Sequence, residues 1–235
     1  TLFRSIASHI AHEIRNPLVT MGGYAKRILK NMKENEPDPG KIIKSADIIY
    51  TESERLEKIL ANVMDFTKPS TYIKDFNDIN HVIRDTYKLL KNVLFERGIK
   101  VNLDLNDNLP SVKCDFNQMK QVFINLFQNA IDATPEKGRI EIVTDSDETW
   151  VLITISDSGT GIIAEDPEVI FENFFTTKAT GVGLGLANVK KIIKDHGGII
   201  KAGNREEGGA EFRIKLPVPA AEQKSDYNEK IEGEG

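Results

Sequence analysis

Two apolar stripes of the same period, separated by a segment no helix can run through, most constrain what this chain can fold into. Phe3, Ala7, Ile10, Ile14, Leu18, Met21, Ala25, Ile28 and Met32 recur at steps of four and three, the seam of an amphipathic helix. A doubled four-step from Ile14 to Leu18 falls across Pro17 and predicts local unwinding of a supercoil there. Glu36 to Gly40, EPDPG, then breaks the pattern with two prolines and a glycine. A second stripe follows at Ile42, Ala46, Ile49, Ser53, Leu56, Leu60 and Val63, widened by Ile43, Ile59 and Phe66. Two antiparallel helices cannot cover that much apolar surface by themselves. The expectation is an α-helical hairpin that pairs with a second copy, a homodimer built on a four-helix bundle.

The pattern changes after Lys68 and Pro69. Asp78 to Arg97 reads as a helix, Lys100 to Leu105 alternates as a strand, and Asp115 opens a helix in a D-x-x-Q capping arrangement with Gln118. Arg139 to Thr144 and Trp150 to Ser156 read as adjacent strands. A glycine-rich stretch leads to a helix from about Leu184 to His196, and strands at Ile199 to Ala202 and Ala210 to Leu216 close the chain. Helices mixed with antiparallel strands predict an α+β sandwich. The division is therefore a hairpin over 1–70, an α+β domain over 71–219 and a disordered tail over 220–235, where five acids stand against two lysines.

Charge and cysteine usage exclude several functions. A net charge of −5 opposes nucleic-acid binding, which needs an excess of clustered cations. A single cysteine, Cys114, allows no internal disulfide, and no Cys/His cluster points to zinc; a reducing, cytoplasmic setting fits this fragment. No apolar run is long enough to span a bilayer. The chain starts at Thr1 inside a helix pattern, so it reads as a piece of a longer protein, and membrane attachment is expected only through a missing N-terminal region.

The chemistry is concentrated in five short segments. His12 to Leu18, HEIRNPL, puts His12 roughly 170° and Asn16 roughly 150° from the apolar stripe, with Glu13 at its boundary about 90° away. On the helix opened by Asp115, Asn125 and Asn129 stack one turn apart beside an apolar face, a costly choice for a helix interior. A carboxamide oxygen can ligate Mg²⁺ without adding charge beside a polyphosphate. Asp157 to Ile162, DSGTGI, follows an apolar strand; a buried carboxylate there can accept from an exocyclic amine while Gly159 and Gly161 let backbone approach a flat ring. Phe171, Phe174 and Phe175 sit where a mobile lid would be anchored, and Lys178 could reach a terminal phosphate. Gly181 to Leu186, GVGLGL, runs into a helix whose exposed amides and dipole suit phosphate oxygens; no GKS or GKT follows, so this is not a P-loop.

In order and spacing, HEIRNPL, NLFQNAIDA, DSGTGI, the phenylalanine segment and GVGLGL resemble the H, N, G1, F and G2 boxes of the sensor histidine kinases of two-component signalling. The resemblance covers the chain from about Ser5 to Pro217. It implies a dimerising phosphoacceptor hairpin and an ATP-binding sandwich of the GHKL kind shared with type II topoisomerases and mismatch-repair ATPases. It makes His12 the phosphoacceptor, Glu13 and Asn16 its catalytic neighbours, Asn129 the Mg²⁺ ligand and Asp157 the adenine-reading carboxylate. Asn125, Gly159, Gly161, Ile162, Lys178, Gly181, Gly183, Leu184, Gly185 and Leu186 would complete the ATP pocket and its lid. Asp132 stands where many members carry a lysine, and Asn173 where a proline is frequent.

The resemblance further implies phosphotransfer from His12 to an aspartate of a response-regulator receiver domain, with Asn16 serving its dephosphorylation. An acidic receiver is expected beside Val19 and Gly23, ringed by Lys26 and Lys30. His9 is the rival nucleophile, one turn before His12. His81 and His196 read as structural. A competing reading keeps the nucleotide fold but makes it an ATP-driven switch with no phosphoenzyme. A serine kinase would leave HEIRNPL without a role, and a coiled-coil adaptor would leave Asn129 and the glycines unexplained.

Overall fold

The structure, a computed structural model, describes residues 2–34, 36–67, 74–178 and 183–219, and within them every side chain except those of 2–9, 58, 62 and 65–67. Gly181, the linker at Lys68 and Pro69, the tail over 220–235 and the side chains of Phe3, Ala7, His9 and Phe66 lie outside the described residues. The chain divides into two compact units, residues 1–69 with 173–184, and residues 70–172 with 185–235.

The first unit is built on two long helices, α1 (Leu2–Asn31) and α2 (Pro39–Thr67). α1 continues through Pro17, which removes the amide that would bond the carbonyl of Glu13. The break is shorter than EPDPG implied. Pro39 and Gly40 already belong to the first turn of α2, because proline at the first helical position loses an amide that would be unpaired anyway. Asp38 caps that turn: its Oδ1 accepts from the Gly40 amide at 2.9 Å and the Lys41 amide at 3.3 Å. Buried Asn31 closes the connection by accepting from the Asp38 amide at 3.0 Å.

The two helices face one another through a row rotated from the predicted seam. Ser45 and Ile59 are buried on α2 and Glu52, Arg55 and Leu56 half-buried, whereas Ala46 and Leu60 are exposed. On α1, Pro17 and Asn31 are buried, Glu13, Ile14 and Met21 half-buried, and Leu18 is exposed. Apolar spacing alone could not locate this row, because three of its members on α2 are polar. Residues 173–184 join the same unit: Leu184 and Ile59 form a small core against which Ile14, Val63 and Phe174 pack.

The second unit holds most of the buried apolar side chains. Its elements run β1 (Asp75–Asn77), α3 (Ile79–Glu96), β2 (Lys100–Leu105), β3 (Val112–Cys114), α4 (Phe116–Ala133), β4 (Arg139–Ser146), β5 (Trp150–Asp157), a 3-10 helix (Pro167–Phe171), α5 (Gly185–Asp195), β6 (Ile199–Asn204) and β7 (Ala210–Pro217). Five strands form one sheet in the order β2-β4-β5-β7-β6, with β2 parallel to β4 and the other pairs antiparallel. Alternate residues, Ile140 and Ile142, Ile153 and Ile155, and Phe212 and Ile214, are buried on one face, the period of a half-covered strand. Ile142, Ile155 and Phe212 stand side by side in the register, which carries the core across three strands. α4 packs with α3 on one side and α5 on the other, so the helices form a single layer.

β1 and β3 were not legible in the sequence: each is three residues long, and they pair only with each other. Cys114, the last residue of β3, is fully buried, and that burial pushes its thiol up to about 12. Half of the predicted capping box forms. Asp115 accepts from the Gln118 amide at 3.0 Å, but the Asp115 amide donates to Nε2 of His196 at 3.1 Å instead of to Gln118. Nδ1 of His196 donates to the Ile192 carbonyl at 2.7 Å, so the ring is fixed as the neutral tautomer carrying its proton there.

Candidate functional site

In the first unit, the outward face of α1 presents His12 and Asn16, both exposed. One helical turn brings Nδ2 of Asn16 to 3.4 Å from Nδ1 of His12. The amide thus lies against one ring nitrogen and leaves Nε2 facing away from it. Glu13, the next residue, turns inward as its boundary position requires. Its Oε2 stands 3.7 Å from the guanidinium of Arg55 on α2. Arg55 and its second carboxylate, Glu52 at 3.8 Å, had no signal in apolar periodicity. Lys178, exposed, donates its backbone amide to Thr176 Oγ1 at 3.1 Å. Gly183 has φ +69 and receives the Phe174 amide at 2.8 Å; a Cβ there would stand 2.4 Å from the Phe174 carbonyl carbon. The Leu184 side chain is buried in the small core with Ile59, where a leucine gains from removal from water.

In the second unit, the candidate nucleotide site is organised along α4. Asn125 and Asn129 are half-buried, one turn apart. At the C-terminal end of the helix, the Ala133 carbonyl receives the Thr160 amide at 3.3 Å, and a Cβ on Gly159 would stand 2.4 Å from that carbonyl oxygen. Two turns earlier, a Cβ on Gly185 would meet Asn125 Oδ1 at 3.7 Å. The two glycine segments therefore flank α4 eight residues apart, roughly 12 Å along its axis. Asn129 lies between them. A purine at one end and phosphates at the other fit that span, with the first amides of α5 at the phosphate end. Leu186, half-buried, belongs to the first turn of α5.

Asp157 ends β5 and is 2% exposed. Burial raises its carboxyl above the usual carboxylate range, while bonds from the Gly159 amide at 2.8 Å and the Ala210 amide at 3.3 Å oppose the rise. Both amides converge on Oδ1. A ligand amine can then be read by Oδ2, the oxygen outside these bonds. The loop beyond is pinned by Asn204 on β6, whose Oδ1 accepts from the Ile162 amide at 2.6 Å and whose Nδ2 donates to the Ile162 carbonyl at 2.9 Å. Gly161 has φ +73, and a Cβ there would stand 2.8 Å from that same Asn204 oxygen.

Sequence reasoning missed Asn204 and Gly209. At Gly209, φ is +90 and a Cβ would stand 1.9 Å from the Asp157 carbonyl oxygen, so only glycine lets the β6–β7 turn deliver the Ala210 amide to Asp157. The available signal was the Gly208-Gly209 pair just before a strand. Phe171 is buried edge-on to Phe212, 6.4 Å between centroids, and anchors the 3-10 helix. Among the described residues no group of three His, Cys, Asp or Glu side chains could hold a metal. A Mg²⁺ ion held through Asn129 would therefore draw its other ligands from phosphate and water, as this hard ion commonly does, and the neutral carboxamide fits that role.

Comparison with known proteins follows the same two-part division. Residues 4–71 match the family described as His Kinase A (phospho-acceptor) domain, and residues 114–220 match Histidine kinase-, DNA gyrase B-, and HSP90-like ATPase. Sensor histidine kinase ZraS of Escherichia coli O157:H7 is 36% identical over 213 residues, covering 91% of this chain and 46% of that protein. The chain thus spans about half the length of that relative. Among solved structures, the catalytic domain of histidine kinase ThkA is 39% identical with a TM-score of 0.58, covering 62% of this chain and 95% of that one. ThkA in complex with response regulator protein TrrA is 36% identical with a TM-score of 0.76, covering 92% of this chain and 61% of that one.

Proposed function

Because the chain belongs to the sensor histidine kinases of two-component signalling, we propose that it transfers the γ-phosphoryl group of ATP to His12 and passes it to an aspartate of a response-regulator receiver domain. The observation that carries this reading is His12 itself, exposed on α1 with Nδ1 against Asn16 and Nε2 directed away. Attack by Nε2 uses the tautomer with the proton on Nδ1, so the Asn16 amide nitrogen that faces Nδ1 here turns away first. Nε2 then attacks the γ-phosphorus, the bond to the bridging oxygen of the departing ADP breaks, and the Nδ1 proton passes to the Glu13 carboxylate. General-base assistance of this kind contributes on the order of 10²–10⁴-fold. Asp157 reads the adenine amine, Gly159 and Gly161 admit the ring, and the α5 amides beside Asn125 hold phosphate oxygens. Mg²⁺ at Asn129 would neutralise charge on the transferring group.

Two further roles rest on the same residues. Asn16 orients a water against the regulator's aspartyl phosphate; Asn16→Ala is expected to keep autophosphorylation and lose that phosphatase activity, and loss of both would assign Asn16 to folding. The hairpin pairs with a second copy, a reading supported by Leu29, Met32, Ile43 and Met64, each at least 60% exposed although strongly apolar. The relative ThkA is known in complex with a response regulator, which supports a receiver-domain partner here. Among the described residues no helix is long and apolar enough to cross a membrane.

The test is incubation with γ-labelled ATP and Mg²⁺, comparing wild type with His12→Gln and His9→Gln. An acid-labile, alkali-stable label lost only in His12→Gln is the expected result. ATP binding or turnover with no label in any of the three would favour the switch over the kinase.

A further inference from the structure

Arg55 lies between two carboxylates that belong to different helices. One guanidinium nitrogen stands 3.7 Å from Oε2 of Glu13 on α1, and the other 3.8 Å from Oε2 of Glu52, one turn earlier on α2. The three side chains are 19–23% exposed. Oε2 of Glu52 is fully enclosed and makes no hydrogen bond among the described residues, so Arg55 is the cation that faces it. Ile59 and Ile14 show that apolar side chains fit the neighbouring turns of the same face.

Buried charge clusters rarely stabilise a fold more than apolar residues of similar size would. Stability is thus a weak reason for Glu13, Arg55 and Glu52 to occupy this face, and their location offers a better one. Glu13 directly follows His12. A glutamate has three side-chain torsions, and a base must be held within a narrow range of geometry to take a proton. Arg55 engages Oε2 and thereby restrains the carboxylate across the hairpin, while Oε1 is the oxygen not used in that pair. Glu52, in turn, restrains the guanidinium.

We propose that Arg55 is a positioning residue for Glu13: a guanidinium from the second helix, seated by Glu52, fixes the carboxylate so that Oε1 receives the Nδ1 proton of His12 during phosphoryl transfer. This rests on the kinase reading given above. Proton and phosphoryl bookkeeping are unchanged, because Arg55 stays protonated throughout and neither gives nor takes an atom.

A double-mutant cycle on autophosphorylation tests it, using the full chain, wild type, Arg55→Met, Arg55→Lys, Glu13→Gln and the Glu13→Gln/Arg55→Met pair. Arg55→Met is expected to lower kcat about tenfold, a part of what a general base contributes, with KM for ATP changed less than about twofold. Arg55→Lys should recover part of the loss. In the Glu13→Gln background, Arg55→Met should add less than about twofold, since it acts through a group already removed. An equal loss in both backgrounds would assign Arg55 to packing of the hairpin, and a faster Arg55→Met enzyme would mean that Arg55 holds Glu13 away from His12; either overturns the proposal. Glu52→Gln leaves the guanidinium in place and serves if Arg55→Met fails to fold: a loss of kcat confined to the Glu13 background supports the proposal, and one that multiplies with Glu13→Gln overturns it. Absence of His12 label in the wild type would instead overturn the kinase reading beneath it.

Discussion

At the scale of single residues, the candidate site is held by groups that work against the stability of the fold. Burial raises the Asp157 carboxyl, so its ionised form is disfavoured where it sits. An asparagine keeps an oxygen for the Gly159 and Ala210 amides without a buried charge. Asp157→Asn is therefore expected to raise the melting temperature of the nucleotide-free protein while weakening ATP binding about 10–100-fold, because an amide –NH₂ would face the adenine amine. Calorimetry on one sample reads both. Gly209 and Gly208 form an internal comparison. Both have φ near +90, but a Cβ on Gly209 meets the Asp157 carbonyl oxygen at 1.9 Å, whereas nothing lies within 4 Å of one on Gly208. Gly208→Ala should cost about 1 kcal/mol and Gly209→Ala about 2–4 kcal/mol by urea denaturation, with nucleotide binding lost only in the second. Asp157 itself was legible because a carboxylate after an apolar strand and before glycines is a local pattern. Gly209 and Asn204 were not, since their partners lie some forty to fifty residues away and only the sheet brings them together.

At the scale of elements, α3, α4, α5 and the five strands of the large sheet followed from periodicity and turn signals, whereas the strand order and the parallel pairing of β2 with β4, in place of the antiparallel strands expected, did not. Asp78 and Asp115 both cap the helices they were expected to open. The hairpin face did not follow: Ser45, Glu52 and Arg55 turn inward on α2, and no apolar pattern marks a polar residue that is buried for its partner. The N-terminus of α4 depends on a second helix in the same hidden way, through the bond from the Asp115 amide to His196. Burial lowers the His196 pKa, so the folded state keeps the ring neutral. Below about pH 6.5 the unfolded chain takes up a proton that the folded one resists, and stability contributed above that pH is lost as the pH falls. The urea midpoint of the second unit should therefore drop between about pH 7.5 and 5.5, and His196→Gln, which can still accept from Asp115, should flatten that slope.

At the scale of the whole molecule, the two units differ in what their interiors contain. Strands and helices of the second unit enclose a continuous apolar core, whereas in the first the buried apolar side chains among the described residues are Pro17, Ile59 and Leu184. With Leu29, Met32 and Ile43 exposed, a hairpin that pairs with a second copy as proposed is expected to melt at a temperature that rises with protein concentration. The second unit carries its own core and has no such dependence. Cys114 makes this difference measurable without any added label, since it is the chain's only thiol and is fully buried at the end of β3 in the second unit. A disulfide reagent can reach it only when the structure around it opens, and burial keeps the thiolate scarce until then. Its reaction rate is thus a native clock for the opening of one unit, silent to the melting of the other, and bound nucleotide should slow the clock while dilution leaves it unchanged.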